Sequence, residues 1–127
     1  MRWSKAPLEL VSFLDETARG VEGSQKRIMF GFPSYFINGN MYMAAHKEQM
    51  VLRLGPSDLE NLLASGGGFS RFEPMVGRVM KEYIIVPESV YADEAQLDLL
   101  LEKSTQYVRG LPAKQATRAE RRGDAKK

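Results

Sequence analysis

The sequence predicts an α+β fold in two layers, with a five-stranded, mainly antiparallel sheet and helices packed on one of its faces. Three observations lead to this prediction. Apolar residues recur at helical spacing near both ends of the chain, and the short runs between them alternate apolar and polar residues. An Asn-Gly dipeptide joins two of these runs, as in a tight antiparallel hairpin. The predicted element order is α-β-β-β-α-β-β-α, for which one helical layer on the sheet is the economical packing.

The first helix is predicted from about Ala6 to Arg19. Pro7 suits its first turn, because the N–H group that proline lacks is not needed there. Gly20 follows the helix and favours its end. The apolar residues that form its single stripe are Leu10, Val11, Leu14 and Ala18.

A three-stranded meander is predicted next, over residues 27–37, 41–45 and 50–54. Gly31 and Pro33 interrupt the first of these segments, but the residues on either side are extended in character. Asn38-Gly39 predicts a type I′ turn into the second strand. A polar turn at residues 46–49 leads into the third.

The second half begins at Gly55-Pro56, which ends the meander. Ser57 and Glu60 match a capping box for a short second helix. Two further strands are predicted at residues 69–72 and 80–86, with a loop at residues 73–78 between them. Pro87 ends the last strand, because proline cannot donate to a sheet ladder.

The last helix is predicted to begin after Asp93, with Gln96 at the position that completes a capping box. Gly110 and Pro112 end it. We therefore predict one domain over residues 1–112 and a disordered basic tail over residues 113–127. From Lys114 onward the tail holds six bases and two acids, which gives it a net charge of +4. The whole chain has a net charge of +2, so the remaining residues carry −2 and the body is slightly acidic.

The composition excludes several classes of protein. The chain of 127 residues has no cysteine, which leaves no disulfide or thiolate chemistry. No signal peptide is recognisable, and no apolar run approaches the roughly 18 residues of a membrane span. We expect a soluble cytoplasmic protein, monomeric or homodimeric, without membrane association.

Four segments, 27–31, 38–42, 50–54 and 80–87, together resemble the N-terminal domain family of the TfoX/Sxy competence regulators. They read Arg-Ile-Met-Phe-Gly, Asn-Gly-Asn-Met-Tyr, Met-Val-Leu-Arg-Leu and Met-Lys-Glu-Tyr-Ile-Ile-Val-Pro, and the similarity covers roughly residues 8–111. One departure is that Gly31 is followed by Phe32-Pro33, where the family has Gly-x-Gly. The resemblance implies a sheet-and-helix fold like that of small chaperone-like domains, and a regulatory association in bacteria.

The strongest candidate site is the loop at Gly77 and Arg78 together with Lys81 and Tyr83. If the first and last strands were near neighbours, Phe32, Ser34 and Tyr35 would complete an aromatic and basic patch for an anion or a peptide carboxylate. The alternative is that Arg78 and Lys81 form ion pairs with Glu73 or Glu82 at a solvent-exposed edge of the sheet. Met75 is a candidate interface residue because methionine adapts to different partners.

The tail supplies a second candidate, at Lys114, Arg118, Arg121 and Arg122. Counterion release at these bases predicts weak, salt-dependent binding to nucleic acid. The alternative is a tail that only keeps the protein in solution.

No catalytic constellation is evident. His46 is the single histidine, and we predict it to be a solvated turn residue. We expect no enzyme activity, no metal and no cofactor. The leading prediction is a regulatory domain that binds a protein partner. The alternatives are nucleic-acid association through the tail, or small-anion or ligand binding at the basic loop.

Overall fold

A computed structural model describes residues 7–29 and 31–114 of the chain. The helices in these residues are α1 (Leu8–Arg19), α2 (Pro56–Ala64), α3 (Glu88–Tyr91) and α4 (Glu94–Arg109). The strands are β1 (Gln25–Met29), β2 (Phe32–Ile37), β3 (Asn40–His46), β4 (Gln49–Arg53), β5 (Ser70–Met75) and β6 (Arg78–Val86).

The six strands form one antiparallel sheet in the order β1-β2-β3-β4-β6-β5. The α+β class and the antiparallel sheet are thus confirmed. The prediction of five strands is wrong, and so is the predicted element order, because the described chain runs α-β-β-β-β-α-β-β-α-α.

The extra strand arises at Gly31, where the predicted strand over residues 27–37 folds back into two. Gly31 has φ of +82°, a backbone conformation that glycine adopts without the steric cost of a Cβ. β1 pairs with β2 on one side of β2, while the pairing of β2 with β3 begins only at Ser34. Pro33 therefore lies within β2 but outside the β2–β3 ladder. This position suits proline, because proline has no N–H to donate to a neighbouring strand.

Two other local predictions are corrected and two are confirmed. The predicted loop at residues 73–78 is a tight hairpin, because β5 extends to Met75 and β6 begins at Arg78. Helix α2 begins at Pro56 with Gly55 as its N-cap, so Ser57 does not cap it. Asn38 and Gly39 have φ of 53° and 80°, as the predicted type I′ turn requires. Asp93 caps α4 as predicted, accepting hydrogen bonds from the N–H groups of Ala95 and Gln96.

The main core lies between the helices and one face of the sheet. Leu14 of α1 and Val108 of α4 are completely buried there, against strand residues such as Met43, Leu52 and Ile84. The apolar stripes of these two helices thus cover the sheet on this side, as the helical spacing predicted.

A second, smaller cluster lies on the opposite face and consists of Ala44, Val51, Phe72 and Tyr83. It exists because the end of the β5–β6 hairpin folds across that face. Arg71 pairs with Ile84 but Phe72 pairs with Met80, so three extra residues of β6 bend the hairpin. In a flat sheet, β5 would lie roughly 14 Å from β3, at about 4.8 Å per strand. The ring of Phe72 nevertheless lies 5.0 Å from that of His46 on β3, centroid to centroid.

Candidate functional site

The folded-over end of the β5–β6 hairpin, residues 72–81, is here called the hairpin arm. Phe72 of the arm is buried against the sheet, whereas four other apolar side chains of the arm are exposed to solvent. Their exposed fractions are 63% for Met75, 100% for Val76, 44% for Val79 and 36% for Met80. Clustered exposed apolar side chains of this kind typically mark an interaction surface.

Two predicted site residues, Arg78 and Lys81, are also exposed on the hairpin arm. Among the described residues, neither takes part in an ion pair. The carboxylates suggested as their partners are engaged elsewhere: Glu82 pairs with Arg53, and Glu73 accepts a hydrogen bond from the N–H of Gly77. The arm thus combines apolar side chains with two cationic groups.

Tyr83, unlike these two bases, is buried. It is 9% exposed, its hydroxyl donates to the carbonyl of Met41 at 3.4 Å, and the guanidinium of Arg53 lies 5.4 Å from its ring. β2 is separated from β6 by β3 and β4, and Tyr35 faces the helices, where its hydroxyl donates to Asp15 at 2.6 Å. The structure therefore does not bring Tyr35 together with Arg78 and Lys81.

The base of the arm is held by a polar network. Arg53 donates through Nε to Glu82 Oε1 at 2.8 Å, and the hydroxyl of Tyr107 on α4 donates to Glu82 Oε2 at 2.8 Å. Partial burial alone would raise the pKa of Glu82, but the hydrogen bond from Tyr107 and the contacts with Arg53 lower it below the ordinary value. No sequence signal predicted this network, because its members lie more than twenty residues apart.

The sequence model of the TfoX N-terminal domain family matches residues 16–108 of the chain. The match spans well over half of the sequence and contains the whole sheet, including the hairpin arm. The chain belongs to the TfoX N-terminal domain family. The resemblance drawn from the four sequence segments is thereby confirmed. No curated protein and no solved structure matches the chain significantly.

In this TfoX N-terminal domain, the single histidine has a structural position. The prediction of a solvated turn residue is wrong, because His46 is the last residue of β3 and is half-buried. Its ring lies between those of Phe32, at 4.5 Å, and Phe72, at 5.0 Å. Burial lowers the pKa of His46, and the charge of Lys47 lowers it further. Both effects favour the neutral imidazole in the folded state.

The predicted tail site lies largely outside the described part of this TfoX N-terminal domain. Lys114 is described, and its N–H donates to the carbonyl of Asn38 at 2.8 Å. Asn40 donates through Nδ2 to the carbonyl of Pro112 at 3.0 Å. The residues that follow α4 therefore pack against the β2–β3 turn. Arg118, Arg121 and Arg122 lie outside the described residues, and nucleic-acid binding by the tail stays a prediction.

Residues 7–29 and 31–114 contain neither a metal-binding cluster nor a membrane-spanning helix. No group of three or more histidine, aspartate or glutamate side chains is arranged to hold a metal ion there. None of the helices in these residues combines the length and the apolar character needed to span a membrane.

Proposed function

We propose that this TfoX N-terminal domain is a non-enzymatic regulatory domain of the bacterial cytoplasm that binds a protein partner through the hairpin arm. The observation that carries the proposal is that Met75, Val76, Val79 and Met80 of the arm are exposed beside two bases that form no ion pair within the described residues. Membership of the family supports a regulatory role.

The chemistry of the arm defines the partner that would fit. Burying the fully exposed Val76 side chain in a partner's pocket would contribute roughly 1.5–3 kcal/mol. Methionine side chains are flexible and polarizable, so Met75 and Met80 can adapt to an irregular apolar surface. Arg78 and Lys81 favour acidic residues around that pocket, which would raise the rate of association.

The arm is also held in a way that suits binding. Phe72 fixes its inner side to the sheet, and the Arg53–Glu82–Tyr107 network fixes its base to α4. A surface that is positioned before binding loses less conformational entropy when the partner arrives.

The test compares two variants that each remove exposed apolar side chains. Met75→Ser with Val76→Ser changes the arm, and Leu99→Ser changes a residue on α4 that is 60% exposed. Affinity capture from extract, followed by titration of the recovered partner, should show at least a roughly tenfold weaker Kd for the arm variant, equivalent to about 1.4 kcal/mol. The Leu99→Ser variant should bind as the wild type does. A partner that binds the arm variant with unchanged Kd would show that the arm is not the interface.

A further inference from the structure

A groove of about 700 Å³ lies between the C-terminal half of α1 and one side of α4. It is separate from the hairpin arm, since none of its lining residues belongs to β5 or β6. The apolar side chains that line it are Phe13, Val21, Tyr91, Ala92, Leu97 and Leu101. Its rim is strongly acidic, with Glu16, Glu22, Glu94, Asp98 and Glu102 against one base, Arg109.

Three of these acids form a regular row along α4. Glu94, Asp98 and Glu102 recur every fourth residue, which places them on one side of the helix about 6 Å apart. In the described part of the chain none of the three is within an ion pair. Like charges at this spacing repel one another, so a row of cations beside them would be stabilising.

The chain itself contains a row of cations with the same spacing. Lys114, Arg118, Arg122 and Lys126 also recur every fourth residue. The two acids of the tail, Glu120 and Asp124, fall midway between these bases in the sequence. The aliphatic stems of arginine side chains pack on apolar and aromatic surfaces while their charged ends reach the rim.

The position and length of the tail allow it to reach the groove. Lys114 is held at the β2–β3 turn by its bond to Asn38, only five residues beyond the end of α4 at Arg109. Arg109 lines the groove, and its guanidinium donates to the carbonyl of Glu22 at 2.7 Å. The thirteen residues after Lys114 span up to roughly 43 Å when extended. The whole of α4 is about 24 Å long.

We propose that residues 115–127 dock onto the α1–α4 groove of their own chain, with Arg118, Arg122 and Lys126 beside the row of Glu94, Asp98 and Glu102. Single exposed ion pairs contribute little. Here three cations meet three anions at matched spacing, and the short connection gives the tail a high effective concentration at the groove. The tail bases are then engaged by the protein's own acids.

Paramagnetic labelling of the full chain tests this directly, because the protein has no cysteine and Ala125→Cys gives one attachment point. The amide NMR signals of Asp98, Glu102 and Glu22 should broaden, while that of Val51 on the opposite sheet face should not. The broadening should be strong near 0.01 M salt, where the screening length is about 30 Å, and largely lost near 1 M, where it is about 3 Å.

Two charge variants make the result specific. Asp98→Asn with Glu102→Gln, both exposed positions, should abolish the broadening along α4. Glu48→Gln, an exposed acid in the β3–β4 turn, should leave it unchanged. Equal broadening of the α4 signals in both variants would overturn the proposal, and so would the absence of broadening at low salt. So would broadening that appears only when labelled protein is mixed with a separate isotope-labelled copy, because the tail would then bind a second molecule.

Discussion

Phe72 is the residue whose removal should release the hairpin arm. It is 6% exposed and packs on Ala44, Val51 and the ring of His46, although its strand is three positions away from β3 in the sheet. None of the described helices contributes a residue to this small cluster, so the arm itself excludes water from it. Phe72→Ala should therefore both destabilise the fold and detach the arm from the sheet.

The size of the effect follows from the site. Truncating a buried phenylalanine to alanine costs about 3–5 kcal/mol, from lost transfer free energy and from the cavity left behind. The hairpin arm can shift to fill part of that cavity, because its outer side faces solvent. We therefore expect the low end of the range, about 3 kcal/mol in the free energy of unfolding.

Urea unfolding of the wild type, Phe72→Ala and Met80→Ala measures this difference. Met80 lies opposite Phe72 in the same hairpin but is 36% exposed, so its truncation should cost less than about 1 kcal/mol. Amide hydrogen exchange should accelerate in residues 72–80 of the Phe72→Ala variant, while the β2–β3 ladder keeps its protection. A loss below about 1 kcal/mol for Phe72→Ala, with unchanged exchange in the arm, would refute this account of how the arm is held.

Three further predictions concern other parts of the fold. Because burial lowers the pKa of His46, the unfolded chain binds its proton more readily. The stability that His46 provides above pH 6.5 should fall as the pH drops through its folded pKa, and in urea unfolding His46→Gln should weaken this decline. Tyr107→Phe removes the hydrogen bond to Glu82 and should cost about 1 kcal/mol in the same assay; no loss would mean that the network does not stabilise the arm. Gly39→Ala should destabilise more than Gly23→Ala: both have positive φ, but only at position 39 does a Cβ meet the backbone of Lys114, so equal melting temperatures would contradict this packing.

Much of the fold could be predicted from local signals. The type I′ turn at Asn38-Gly39 and the cap at Asp93 depend on residues that are neighbours in the chain, and the structure has both as predicted. The turn at Gly31 was missed because a glycine within an extended segment is compatible with either a continuous strand or a hairpin. That one ambiguity changed the number of strands from five to six.

The candidate site could be predicted only in part. Met75, Gly77, Arg78 and Lys81 were identified as a group because they are close in sequence, and the structure keeps them together on the hairpin arm. Tyr83, two residues further along β6, is buried in the second cluster, whereas Arg78 and Lys81 are exposed. Alternation along a strand predicts a shared face only where the strand has no bulge.

The sequence by itself determined the α+β class, the family, the sharp turns and the apolar stripes of the helices, because each of these depends on residues within a few positions of one another. Only the tertiary structure decided that β6 lies between β4 and β5 and that the hairpin arm folds over the sheet. It also decided that His46 packs between two phenylalanine rings. The physical reason is that these contacts join residues far apart in the chain, and their free energy depends on which faces meet after the strands have paired.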